Sequence, residues 1–205
     1  TWSRVPHDDA SLGGPDGQTV SAVSAWAGGL VAVGEDSVGG EYDAAVWTSP
    51  DGVAWNRVPH DETVVGGEGT QLMEAVVAAG PGLVAVGLDG VPPDFDAAVW
   101  TSADGIAWSR VPHDEALFGG EMVQVMSDVV ATPGGLVAVG RDDSPAGVHL
   151  LVWTSPDGLT WSRVPYDEAV FGQSVELLTV SVSEGGPGLV VMDGGGAVWV
   201  AAPPG

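Results

Sequence analysis

The chain has 205 residues and sets 28 Asp and Glu against five Arg and no Lys, for a formal net charge of −23 at pH 7. This deficit of clustered cations excludes a nucleic-acid or anionic-lipid partner, since phosphate recognition rests on Lys and Arg. The absence of cysteine excludes a disulfide framework and any thiolate metal site. The longest uncharged stretch, Gly17 to Gly34, is broken by Gln18, Thr19, Ser21 and Ser24, so membrane insertion is not expected either.

The elements follow one plan written four times. The phrase W-S-R-V-P-H-D-D at Trp2 to Asp9 returns with small changes every 53 residues, at Trp55, Trp108 and Trp161. Each copy then offers an inner apolar run, the phrase G-L-V-A-V-G or its variant at Leu30, Leu83, Leu136 and Leu189, a third run ending in A-V-W, and a short strand beginning at the next W-x-R. In residues 70–111 these runs have strand length, are bounded by Gly, Pro and Asp, and include no amphipathic helix. The middle runs are apolar at consecutive positions, as expected of strands covered on both faces. Four antiparallel strands per unit predict an all-β fold, a four-bladed β-propeller spanning 1–205 with repeats starting near 6, 59, 112 and 165. Eight steps separate Trp47 from Trp55, and counting from Trp199 through Gly205 into Trp2 gives eight again. Residues 1–5 are therefore expected to supply the outer strand of the last blade and close the ring.

Between the third and fourth strands lies T-S-P-D-G-V-A-W at Thr48 to Trp55, repeated at Thr101 and Thr154. Asp51, Asp104 and Asp157 can accept turn N–H groups while the following glycine takes a positive φ. The hairpin resembles the Asp-box, or BNR, repeat of sialidase-like propellers, with one residue fewer between Asp and Gly. That resemblance implies a propeller in which these aspartates are structural turn residues. It also implies, for an active sialidase, an arginine cluster and a tyrosine nucleophile. Here Arg141 alone lies outside the repeated arginine slot and the tyrosines are Tyr42 and Tyr166, so the cluster cannot be assembled.

The candidate ligand-binding positions are His7, His60, His113 and Tyr166 of the V-P-H-D-E phrase, together with Trp26, which has no tryptophan counterpart in the other copies. Trp26 is expected to face either the channel or a neighbouring blade. The histidine loops end near Glu68 and Glu121 on a face made acidic by Glu35, Asp36, Glu41, Asp43, Asp89, Asp94 and Asp96. No cofactor is expected; calcium or another hard cation at Glu68 and Glu121 is the metal candidate, because such ions take oxygen donors. The structural alternative has the histidines donating to loop carbonyls and the adjacent carboxylates holding the arginines.

Similar copies, the second and third agreeing at more than half their positions, argue for repeated binding or packing over single-site catalysis. The expected function is therefore a non-catalytic extracellular or cell-surface module that binds a protein or glycan through its acidic face. A multivalent lectin and a strand-swapped self-assembling protein are the alternatives, with a glycoside hydrolase ranked last. A monomer is expected, and a swapped oligomer or filament is its alternative.

Overall fold

A computed structural model describes residues 1–6, 9–13, 17–38, 40–80, 82–145, 147–172, 180–185 and 188–202. The first unit is an antiparallel meander of β1 (Gln18–Trp26), β2 (Gly29–Val38), β3 (Glu41–Ser49) and β4 (Asn56–Arg57). It is repeated as β5 (Thr70–Ala79), β6 (Gly82–Val91), β7 (Asp94–Ser102) and β8 (Trp108–Arg110), and again as β9 (Val123–Thr132), β10 (Gly135–Ser144), β11 (Gly147–Ser155) and β12 (Ser162–Arg163). Single parallel pairings, Tyr42 with Thr70 and Phe95 with Val123, join these three meanders into a twelve-stranded mixed sheet. β13 (Val180–Gly185), β14 (Gly188–Asp193) and β15 (Val198–Ala201) form a separate three-stranded sheet.

The core lies between consecutive meanders, which is why the G-L-V-A-V-G run is apolar throughout. Along β6, Leu83 and Ala85 pack with Val31, Val33 and Val46 of the first unit. Their neighbours Val84 and Val86 point the other way, into a cluster with Met126, Leu136 and Trp153 of the third. β10 repeats the pattern, giving Leu136 and Ala138 to one side and Val137 and Val139 to the fourth unit on the other. Alternation about a pleated strand thus buries every position when both faces are covered. The third-strand tryptophans add a polar tie. Indole Nε1 donates from Trp47 to the Ser11 carbonyl at 2.6 Å, from Trp100 to Val64 at 2.8 Å and from Trp153 to Leu117 at 2.7 Å. Each pins the loop that crosses from one meander to the next.

The hairpins between third and fourth strands are built alike. Asp104 Oδ1 accepts from Ile106 N at 2.9 Å and Ala107 N at 2.7 Å, Ser102 Oγ accepts from Gly105 N at 2.9 Å, and Trp108 Nε1 donates to the Gly105 carbonyl at 3.1 Å. Asp51 and Asp157 make the same bonds in their turns. Backbone N–H donors hold all three carboxyls below the usual aspartate value of 3.8. A group with a depressed folded value contributes stability that is present above its unfolded value and lost as pH falls through the folded one. We therefore expect the melting temperature to drop on acidification below the ordinary aspartate range, and Asp104→Ala to shrink that drop in a series of melts across pH.

The expected ring closure is corrected. Residues 1–6 carry no strand, Trp2 is fully exposed at 102%, and β15 pairs with β14. The reason lies in the size of the joint. Outer strands β4 and β12 each make a two-residue ladder, and they are held in place by the aspartate turn that leads into them. A through-space partner would have to order its own chain for the same few bonds, at about 1–2 kcal/mol per residue.

Candidate functional site

The predicted histidines meet carboxylates. His60 Nε2 lies 3.0 Å from Glu62 Oε2 and 3.7 Å from Asp43 Oδ2, and His113 Nε2 lies 3.2 Å from Glu115 Oε2 and 3.5 Å from Asp96 Oδ2. The strand aspartates reach the loop because Ala44 N donates to the Val65 carbonyl at 2.8 Å in the first unit and Phe95 N to that of Met122 at 2.7 Å in the second. Desolvation pushes the Asp43 and Asp96 carboxyls up, and the partner histidine offsets part of this. A groove of about 560 Å³ runs beside His60 and Glu62 and is walled by Val64, Ile106 and Trp108.

The remaining predicted residues separate. His7 lies outside the described residues. Tyr166 donates to the Gly172 carbonyl and places its ring edge-on to His149 at 5.1 Å. Trp26 faces the neighbouring unit: a Cβ on Gly105 would sit 2.8 Å from its ring. Glu68 and Glu121 present backbone carbonyls to Gln71 Nε2 and Gln124 Nε2, at 3.2 and 3.1 Å. Neither belongs to a cluster of metal-ligating side chains among the described residues. The arginines are held by strand aspartates and not by the loop carboxylates: Arg57 by Asp36, Arg110 by Asp89 at 2.5 Å and Arg163 by Asp142 at 3.7 Å.

Sequence reasoning missed Glu74. The inner strand of each of the three complete meanders carries one extra residue at the same register, Ser21, Glu74 and Ser127, each opposite a register shift. The facing glycine makes the bulge fit, since a Cβ on Gly87 would lie 1.8 Å from the Leu72 carbonyl oxygen. Bulges re-aim side chains and are over-represented beside active sites. Burial pushes the Glu74 carboxyl up; the Glu35 carboxylate on β2 pushes it further, and Arg141 on β10 pulls it back. Arg141 Nε in turn donates to both Asp143 oxygens at 3.1 Å. Glu74 thus feels one charge from each of the other two meanders. Each stands where the copies differ: Glu35 and Arg141 align with Leu88, and Glu74 aligns with serines. Asp128 is also raised by burial, but Val182 N and Val129 N donate to its oxygens and make it a tie between β9 and β13.

Comparison with protein-family models and with curated proteins finds no match. Solved structures do match. A family-32 β-fructofuranosidase of Bombyx mori, solved with sucrose, superposes with a TM-score of 0.59 at 16% identity over 90% of this chain and 43% of its own; the same enzyme in a second structure gives 0.57 at 15% over 89% and 42%. The chain shares its fold with glycoside hydrolases. A protein of Parabacteroides distasonis described as a glycoside hydrolase gives 0.50 at 13% over 92% of this chain and 67% of its own. This chain spans less than half the length of the Bombyx enzyme. The likenesses support an all-β, propeller-like architecture; no family match supports Asp-box repeats as such. They overturn the non-catalytic expectation. The assignment as a binding or scaffold module, with its lectin and self-assembling alternatives, is withdrawn, because the β-fructofuranosidase structures that superpose on this chain are glycoside hydrolases.

Proposed function

We propose that the chain is a glycosidase-type enzyme whose acid–base pair is Glu74 and Glu35. The observation that carries this reading is Glu74, set on a bulge and acted on by charges of Glu35 and Arg141 from the other two meanders, at positions where the repeat is broken. Glycosidic cleavage needs two carboxyl groups in different protonation states. Glu74, whose carboxyl burial pushes up, is the member of the pair assigned to give a proton to the glycosidic oxygen as the C–O bond breaks and the electron pair leaves with that oxygen. Glu35 supplies an electron pair to the anomeric carbon, either directly or by taking a proton from an attacking water. Arg141, oriented by Asp143, sets the local charge balance. In this reading the four meanders are blades of one propeller, and the three charged residues mark the end of its axis.

The test is hydrolysis of sucrose and a panel of nitrophenyl glycosides, run with Glu35→Gln alongside the native protein. Turnover of one sugar class that is lost in the variant supports the reading. A native protein inert on the whole panel, or a variant as active as the native protein, sinks it.

A further inference from the structure

We propose that Asp43, His60 and Glu62, and their equivalents Asp96, His113 and Glu115, form two binding sites for a divalent transition-metal ion of the zinc class. In each trio one imidazole nitrogen and two carboxylate oxygens converge within 4.8 Å of one another. Zinc accepts this mixed set, at about 2.0–2.2 Å to His nitrogen and carboxylate oxygen, in a four-coordinate shell. A calcium ion would instead call for six to eight oxygens. Glu62 and Glu115 have side chains 70% and 74% exposed, so they can close the small gap around an ion without disturbing the strands.

A second observation concerns how closely the donors approach the backbone. A Cβ on Gly66 would sit 2.9 Å from His60 Nε2 and 3.0 Å from Glu62 Oε2, and a Cβ on Gly119 would sit 2.5 Å from Glu115 Oε2. Neither glycine has the positive φ that would require one for backbone reasons; Gly119 sits at φ −91. Glycine at these positions therefore lets the donor atoms lie close against the backbone. The third unit supplies the contrast. There the same positions hold His149, Tyr166 and Glu168, the first two engaged ring to ring, and Gly172 turns to φ +79 with nothing within 4 Å of its Cβ position. The close approach of side-chain atoms to the glycine and the donor set are lost together.

Charge points the same way. Asp43 feels the carboxylates of Glu62, Glu41 and Asp36, and the neighbouring arginines Arg57 and Arg110 are engaged by Asp36 and Asp89. With a formal charge of −23, a bound dication supplies what the side chains do not.

The experiment is a zinc titration of the whole chain at physiological salt, by calorimetry and by competition with a chromogenic chelator. Two ions per chain are expected. His60→Ala and His113→Ala should each remove one, and the double variant both. Gly66→Ala, which keeps every ligand, should weaken the first site roughly tenfold, the scale seen when the surroundings of a metal ligand are disturbed. A large excess of calcium should not displace the zinc. No stoichiometric binding, displacement by calcium, or binding unchanged in the double histidine variant would overturn the proposal. Glu62→Gln and Glu115→Gln give the same readout from exposed positions should a histidine variant fold poorly. Hydrolytic activity is not the readout, so loss of the acid–base reading would leave this result intact.

Discussion

Glu74→Gln should lower kcat on the best glycoside by roughly 10²–10⁴-fold, the usual contribution of a general acid, while leaving KM nearly unchanged. Glutamine keeps the shape at the bulge and removes the proton. The same substitution should stabilise the fold at neutral pH, and the sign follows from the direction of the shift. A carboxyl whose folded value is raised contributes stability that is fully present below its unfolded value and is lost as pH rises through the folded value. In the native protein the ionisation of Glu74 is disfavoured by desolvation and by Glu35, and the glutamine variant carries no ionisable group there. Its melting temperature should therefore exceed that of the native protein at pH 7, with the gain fading on acidification past the ordinary glutamate value of 4.5. Native activity should fall on the alkaline side as Glu74 gives up its proton, and this limb should be absent from the residual activity of the variant. Paired melts and pH–rate profiles check both halves. A variant that is less active and also less stable at every pH would mark Glu74 as structural, since functional groups commonly cost stability.

Much of this architecture is legible in the 53-residue period. Strand lengths, turns and double-sided burial follow because each repeated position faces the same kind of neighbour, as Leu83 and Val84 show by packing into different clusters. The aspartate turns were readable from local chemistry alone. The sites were less so. His60 and Glu62 lie two residues apart in the V-P-H-D-E phrase, but Asp43 joins them only because the crossing loop folds back against β3. Glu74 was hidden inside an ordinary strand run, and its role depends on a bulge that no hydrophobic pattern announces. The available signal was its departure from Q-T-V-S-A and Q-V-M-S-D in the aligned copies. Emphasis on what repeats drew attention to the histidines and away from the places where repetition fails. Closure failed for a different reason: counting eight steps from Trp199 to Trp2 measures spacing, whereas pairing depends on what ordering the strand costs.

Trp100→Ala and Trp2→Ala should lie at opposite ends of the stability scale. Trp100 is fully buried between the first and second meanders, donates to the Val64 carbonyl at 2.8 Å and lies 5.3 Å beneath the Arg110 guanidinium. Truncating a buried tryptophan costs about 3–5 kcal/mol, and here it also leaves the Val64 carbonyl without its donor and releases the loop that bears His60 and Glu62. Against a total stability of about 5–15 kcal/mol for a domain, this should make the variant unfold at far lower urea or not fold at all. Trp2 is the sequence equivalent of Trp108 and Trp161, which are 8% and 4% exposed, yet is itself fully exposed. Its replacement should shift stability by no more than about 0.5 kcal/mol, as for other surface changes. Trp108→Ala is the internal standard, because it removes the same residue from the same repeat position in a unit whose outer strand is paired. Urea unfolding followed by far-ultraviolet circular dichroism compares the three. If Trp2→Ala costs as much as Trp108→Ala, the first strand is docked on β15 in solution and the ring is closed after all. A near-zero cost beside a large one for Trp108 agrees with an N-terminal segment that adds no strand to the sheet.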